Sequence, residues 1–148
     1  MKLTLQIQIL PDDEQAKLLG ETMASFNEAC TWLAAKAFED QTSNKITLQE
    51  RYYYDLRDKF GLSAQMAAIC IRHVGGTYSR DKSIKPTFRK YAAMPYDSRI
   101  LSFKGIDRVS ILTLQGRIII PFIMGQYQRE RFSMAKGQII TGLDIGTN

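Results

Sequence analysis

The stretch "LSFKGIDRVSILTLQGRIIIPFI" (101–123) decides the fold. Its β-branched and aromatic residues fall into short runs separated by turn residues. "RILSFK" (99–104), "RVSILTL" (108–114) and "RIIIPFI" (117–123) read as strands, and "QG" (115–116) as the tight turn of a hairpin. Strand character begins further upstream, at Lys85, where "PTFRKY" (86–91) is also β-rich. Downstream, "GQYQRERFSMAKGQ" (125–138) reads as an irregular basic connection. "IITGL" (139–143) reads as a buried strand ending at Asp144.

The chain before Lys85 follows a different rhythm. Residues 2–10 alternate, with Leu3, Leu5, Ile7 and Ile9 on one face, which predicts a half-buried strand ended by Pro11. Asp12 and Gln15 then form a capping box for a helix. Leu19, Met23, Phe26, Cys30, Leu33 and Ala37 make its apolar stripe, and it ends near Glu39. A second helix is expected from Thr47 through "RYYYDLRDKF" to a left-handed Gly61, and a third is capped by Ser63. The third carries Met66, Ile69, Cys70 and Val74, and Gly75-Gly76 weakens its end. One strand, three helices and then several strands make an α+β chain, with the helices inserted between the first strand and its sheet.

Length and composition narrow the function. At 148 residues with 45% hydrophobic content, the chain suits one domain or two small ones sharing an interface. Its longest apolar run, "IIIPFIM" (118–124), is far too short to span a bilayer, and the alternating N-terminus is unlike a signal peptide. A cytoplasmic protein with no membrane partner is expected. Cys30, Cys70 and His73 are too few and too scattered for a zinc site, so small core cysteines and a structural histidine are expected, with no metal and no disulfide. Residues 1–50 carry 4 basic and 8 acidic side chains, whereas residues 51–148 carry 16 and 7, a balance of +9. That asymmetry points to a polyanionic partner, nucleic acid being the usual one.

Two stretches could supply the contacts. The linker 72–90 sets Arg72, Arg80, Lys82, Lys85, Arg89 and Lys90 against Asp81 alone, with Tyr78, Phe88 and Tyr91 among the charges. Basic groups hold phosphates, and interleaved rings stack on unpaired bases; the bland alternative is a solvated loop with buried aromatics. In "RYYYDLR" (51–57), Tyr52 shares a helix face with Leu56, and Tyr53 shares the next with Arg57. Not all three tyrosines can be buried, so at least one faces outward. Tyr53, Arg57 and Arg99 join the candidate nucleic-acid-binding residues. "GLDIGTN" (142–148) fits either a metal-holding aspartate at the end of an RNase-H-like first strand or a phosphate-cradling turn of sugar kinases and actin-like ATPases. Either site needs further strands.

Together, "LTLQIQILPDDEQAKLL", "FNEACTWLA", "FGLSAQMA", "KPTFRKYAAMPYDSRILSFKG", "GRIIIPFIMG" and "GLDIGTN" resemble the amino-terminal part of the TnpB (OrfB) insertion-sequence transposases. These are RNA-guided DNA nucleases related to the compact type V CRISPR effectors. The resemblance implies a small wedge-type β-barrel from 1–10 and 85–138, a helical recognition insert from 11–84, and the start of a truncated RuvC domain at 139–148. It implies guide RNA and target DNA as partners, with Tyr52, Ser63, Gln65, Ser102, Phe103 and Lys104 near the target-adjacent DNA motif. Asp144 matches the first of three RuvC acids. The wedge hairpin that usually precedes the "GxDxG" strand is missing, as are the remaining acids and the zinc-ribbon cysteines. A nucleic-acid-binding fragment without a complete catalytic site is therefore expected, with Asp144 a remnant. Mg²⁺ would be bound only by a complete RuvC site, so no cofactor is expected here. The rival expectations are a split nuclease completed by another chain and a helix-turn-helix DNA-binding regulator.

Overall fold

Asp12 starts the first helix as the capping box requires. Its carboxylate accepts from the Gln15 N–H at 2.8 Å, and the Gln15 side chain accepts from the Asp12 N–H at 3.0 Å. The structure, a computed structural model, describes residues 7–123. Within them lie β1 (Gln8–Ile9), α1 (Asp13–Asp40), α2 (Lys45–Phe60), α3 (Ala64–Arg80), β2 (Leu101–Lys104), β3 (Arg108–Thr113) and β4 (Gly116–Ile123). The strands form a four-stranded antiparallel sheet in the order β1-β4-β3-β2. The fold is thus α+β, and the first strand pairs with the last across the three intervening helices. The predicted segments 125–138 and 139–148, with Asp144, lie outside the described residues, as do Leu3 and Leu5.

The 28-residue α1 organises everything else. Its predicted stripe is buried throughout, from Leu19 to Ala37, in one continuous core shared with α3 and the inner face of the sheet. Ile9 on β1 and Ile7 just before it pack against that core. Polar side chains of α1 each tie down a different neighbour. Thr22 Oγ1 accepts from the Leu114 N–H at 3.2 Å, at the hairpin tip, and Ser25 Oγ donates to the Phe60 carbonyl at 2.9 Å. Asn27 Nδ2 donates to the Lys90 and Ala92 carbonyls at 3.2 and 3.0 Å. Thr31 Oγ1 both accepts from the Phe88 N–H, at 3.0 Å, and donates to the Phe88 carbonyl, at 3.3 Å.

Those last bonds correct a sequence expectation. "PTFRKY" is not a strand; it runs as an irregular strap held by Asn27 and Thr31, while the Phe88 ring reaches His73 on α3 at 5.1 Å. A buried backbone must find partners, and here side chains of a helix provide them where a second strand would in a sheet. Smaller corrections follow the same logic. Asn44, not Thr47, caps α2, accepting from the Ile46 and Thr47 N–H groups at 2.9 and 3.1 Å. β2 begins at Leu101 rather than Arg99, because the Asp97 carbonyl takes the Ile100 and Leu101 N–H groups into a turn. The β3–β4 turn is centred on Leu114 and Gln115, and Gly116 follows it at φ 106°.

The third helix runs through Gly75-Gly76 to Arg80. A Cβ at Gly75 would stand 3.1 Å from the Ser43 carbonyl oxygen, so the glycine lets α3 pass close under the α1–α2 connection. Two glycines cost about 1 kcal/mol each relative to alanine. Complete burial of the apolar Val74 beside them offsets part of that cost. Gly61 ends α2 at φ 67°, as expected. Cys30 and Cys70, forty positions apart in sequence, meet in the core with their sulfurs 3.4 Å apart, both free thiols.

Candidate nucleic-acid interface

The register of the sheet sorts its side chains. Leu101, Phe103, Val109, Ile111, Ile118, Ile120 and Phe122 share the face turned to the core. Ser102, Lys104, Arg108, Ser110 and Arg117 share the other. Phe103 therefore faces inward, its ring 5.5 Å from that of Phe122, while Lys104 and Arg108 are directly opposed and exposed. Two like charges side by side on a sheet are unfavourable alone. The Asp107 carboxylate, 4.0 Å from the Arg108 guanidinium, offsets part of that penalty.

Where the sheet meets α3, a polar network gathers three arginines around one carboxylate. Asp97 Oδ2 accepts from Gln65 Nε2 at 2.8 Å and from Arg72 Nη2 at 3.2 Å, while its Oδ1 takes the Arg99 N–H at 2.9 Å. Arg99 Nη1 donates to Gln65 Oε1 at 2.9 Å. Arg117 Nη1 donates to Ser110 Oγ at 3.1 Å, and its Nη2 donates to the Arg99 carbonyl. Burial alone would raise the Asp97 pKa. The Arg99 N–H, Gln65 and Arg72 outweigh it and hold the carboxyl below its ordinary value. One anion thus orients a surface that keeps a net positive charge. The guanidiniums of Arg72, Arg99 and Arg117 are all on exposed residues.

On α2 the three tyrosines divide. Tyr52 donates its hydroxyl to Asp40 and sets its ring edge-on to Trp32 at 5.6 Å. Burial first, and Asp40 second, push the Tyr52 pKa up to about 12, and the same bond holds Asp40 below the usual carboxylate range. Tyr53 is half-buried beneath Arg57, whose guanidinium lies 5.9 Å from the ring centre. Tyr54 is the outward-facing one, 73% exposed. Ser63 is occupied as the cap of α3, accepting from the Met66 N–H at 3.2 Å.

In the linker, Arg80, Lys82, Lys85, Arg89 and Lys90 are exposed and make no ion pair among the described residues. Lys90 lies over the Tyr91 ring at 5.3 Å. Tyr78 is fully buried, which removes it from the rings available to stack on bases; Phe88 is half-buried, and Tyr91 is 42% exposed. Among the described residues no three His, Cys, Asp or Glu side chains come together in a way that could hold a metal ion. None of their helices is long and apolar enough to cross a membrane.

The structure brings Gln65, Arg72 and Arg99 together and sets Ser102 and Lys104 on the adjoining sheet face. It separates from these the strap cations Arg89 and Lys90, which sit along α1, and Tyr52, which packs on Trp32. Arg108 and Arg117 were missed by reasoning on the sequence. The signal was partly present in "RVSI", whose two-residue alternation sets Arg108 opposite Val109 and Ile111; "GRIII" gives no such alternation, and Ile119 shares the face of Arg117. Compared with models of known protein families and with curated proteins, the chain matches none.

Proposed function

We propose that this chain is a nucleic-acid-binding unit that holds RNA and DNA without cutting them. The observation that carries the reading is the set of exposed basic residues running from Arg72 on α3 and Arg99 in the turn to Arg117, Arg108 and Lys104 on one face of the sheet. Asp97 is the carboxylate built into its network. Arginines fixed by hydrogen bonds lose little side-chain freedom on gripping a phosphate, and planar guanidinium matches phosphate in two-pronged fashion. The resemblance to TnpB proteins supports guide RNA and target DNA as the partners. On the same reading, the four-stranded sheet is the described part of a wedge-type barrel carrying the three helices as its insert. Asp144 would be the first acid of a RuvC site, whose Mg²⁺ ions need further carboxylates from a longer or second chain.

A helix-turn-helix regulator is less well supported. The helix that would enter a major groove, α3, buries Met66, Ala67, Ile69, Cys70, Ile71, Val74 and Tyr78, and its Gln65 and Arg72 are engaged with Asp97. Little of it is left to read base edges.

The test is a salt titration of RNA and DNA binding by fluorescence anisotropy. Contact with some five phosphates predicts a log–log slope of about −3 to −5. Replacing Arg72, Arg99, Lys104, Arg108 and Arg117 with glutamine should flatten that slope and weaken binding at least about tenfold, with the circular dichroism spectrum retained. Absence of binding at low salt, or unchanged affinity in the folded variant, would overturn the reading.

A further inference from the structure

Tyr54 poses a problem that packing does not answer. Its two neighbours on α2 have found partners in Trp32, Asp40 and Arg57, yet its own ring is left 73% exposed. The Tyr53 ring, 5.2 Å away and nearly perpendicular, packs against it. Most of the Tyr54 ring is still open to solvent.

The ring stands at an open cleft of about 510 Å³ between the α2–α3 turn and the β3–β4 hairpin. Leu62, Leu112 and Leu114 contribute apolar surface to it. Around them are Arg57, Asp58, Ser63 and Thr113. This volume lies within the range of small-ligand sites, and the exposed Tyr54 ring offers a flat surface at a cleft whose lining is otherwise mainly polar. Ser63 Oγ already accepts from the Met66 N–H, which leaves its hydroxyl hydrogen to donate.

The residues of the cleft adjoin those of the arginine cluster. Its hairpin wall includes Gly116, next to Arg117, and Leu112, which is paired with Arg117 across the sheet. Its helical wall ends at Ser63, two residues before Gln65. A polynucleotide whose phosphates follow Arg99 and Arg117 passes the mouth of this cleft. Arg57 and Asp58 both line the cleft and offset each other, so its interior has no net charge to hold a phosphate, while the Asp58 carboxylate can accept hydrogen bonds from the amino group of a base.

We infer that the cleft takes an unpaired nucleobase, stacked on Tyr54, so that the chain prefers single-stranded over fully paired nucleic acid. This inference rests on the nucleic-acid-binding reading above and names the form of substrate it takes. A base paired within a duplex cannot enter without leaving its stack, whereas a single strand offers its bases freely.

The experiment compares labelled single strands of about a dozen nucleotides, a length within the site sizes of single-strand binders, with blunt duplexes of the same sequence. Affinities are measured for the wild type, Tyr54→Ala and Tyr54→Phe. The expected result is tighter single-strand binding by the wild type and a loss of roughly 5- to 100-fold in Tyr54→Ala on single strands. Tyr54→Phe, which keeps the ring, should retain most of the affinity, and duplex binding should be the same in all three. A Tyr54→Ala variant that binds single strands as the wild type does, or loses duplex binding equally, overturns the cleft while leaving the arginine cluster standing. A wild type that binds neither form overturns both. The exposed position of Tyr54 keeps folding out of the comparison, and Tyr54→Phe provides the second check.

Discussion

The strap at 86–91 and the hairpin of β3 and β4 have the same kind of sequence and opposite means of support. Both are rich in β-forming residues between turn signals. The hairpin pairs Arg108 with Pro121 through to Thr113 with Gly116, so its partner lies a few residues away and its register follows from one turn. The strap has no neighbouring strand in the described structure. Its backbone is held by Asn27 and Thr31, some sixty residues earlier and on a helix. A local partner is legible from composition and turn chemistry. A distant side-chain partner is not, because nothing in "PTFRKY" distinguishes a backbone that pairs with a strand from one that pairs with an asparagine.

That contrast can be broken at its strongest point first. Ile111 on β3 is fully buried in the core shared by sheet and helices. Ile111→Ala should lower global stability by about 2–5 kcal/mol, read as a lower urea midpoint with an unchanged slope. An effect under about 1 kcal/mol would mean that the hairpin adds little to the common core.

Asn27→Ala tests the strap. It leaves the partly buried Lys90 and Ala92 carbonyls without their donor, at a cost of about 1 kcal/mol. Hydrogen exchange should quicken at the Phe88 amide and its neighbours well before it quickens in β3 and β4. Equal acceleration in both regions would show that strap and hairpin open as one unit.

The smallest effect comes from acid. Burial, and then the nearby charge of Arg80, lower the pKa of His73, which lies under Phe88 of the strap. The folded chain therefore binds this proton less readily than the unfolded one. The stabilisation is present above the ordinary histidine pKa near 6.5 and is lost as pH falls through the lower folded value. Exchange at the strap should rise over that window while the hairpin stays protected, and His73→Phe should abolish the difference. A strap indifferent to pH between about 7 and 5 would show that His73 protonates without disturbing Phe88.

The same distinction explains what was legible in the sequence. The α1 stripe, the Asp12 cap, the left-handed Gly61 and the Ser63 cap all rest on residues within one or two turns of each other, and all are found in the structure. The candidate interface depends on longer reach. Arg72 and Arg99 could be named as basic residues, but their meeting at Asp97 and Gln65 joins a helix to a turn some thirty residues on. Arg117 carries no local mark of its role, since it gains one only when β4 sets it beside Ser110 and the Arg99 carbonyl. Partners that lie far apart in the chain, as these do, are chosen by the fold and not by spacing.

The meeting of Cys30 and Cys70 has a practical side. Both thiols are wholly shielded from solvent, and burial pushes the Cys30 pKa well above its usual value. A thiol reagent reaches them only when α1 and α3 part. The chain therefore carries its own clock for core opening: with reagent in excess, the rate of labelling counts the separations of those two helices, with no probe added by mutation.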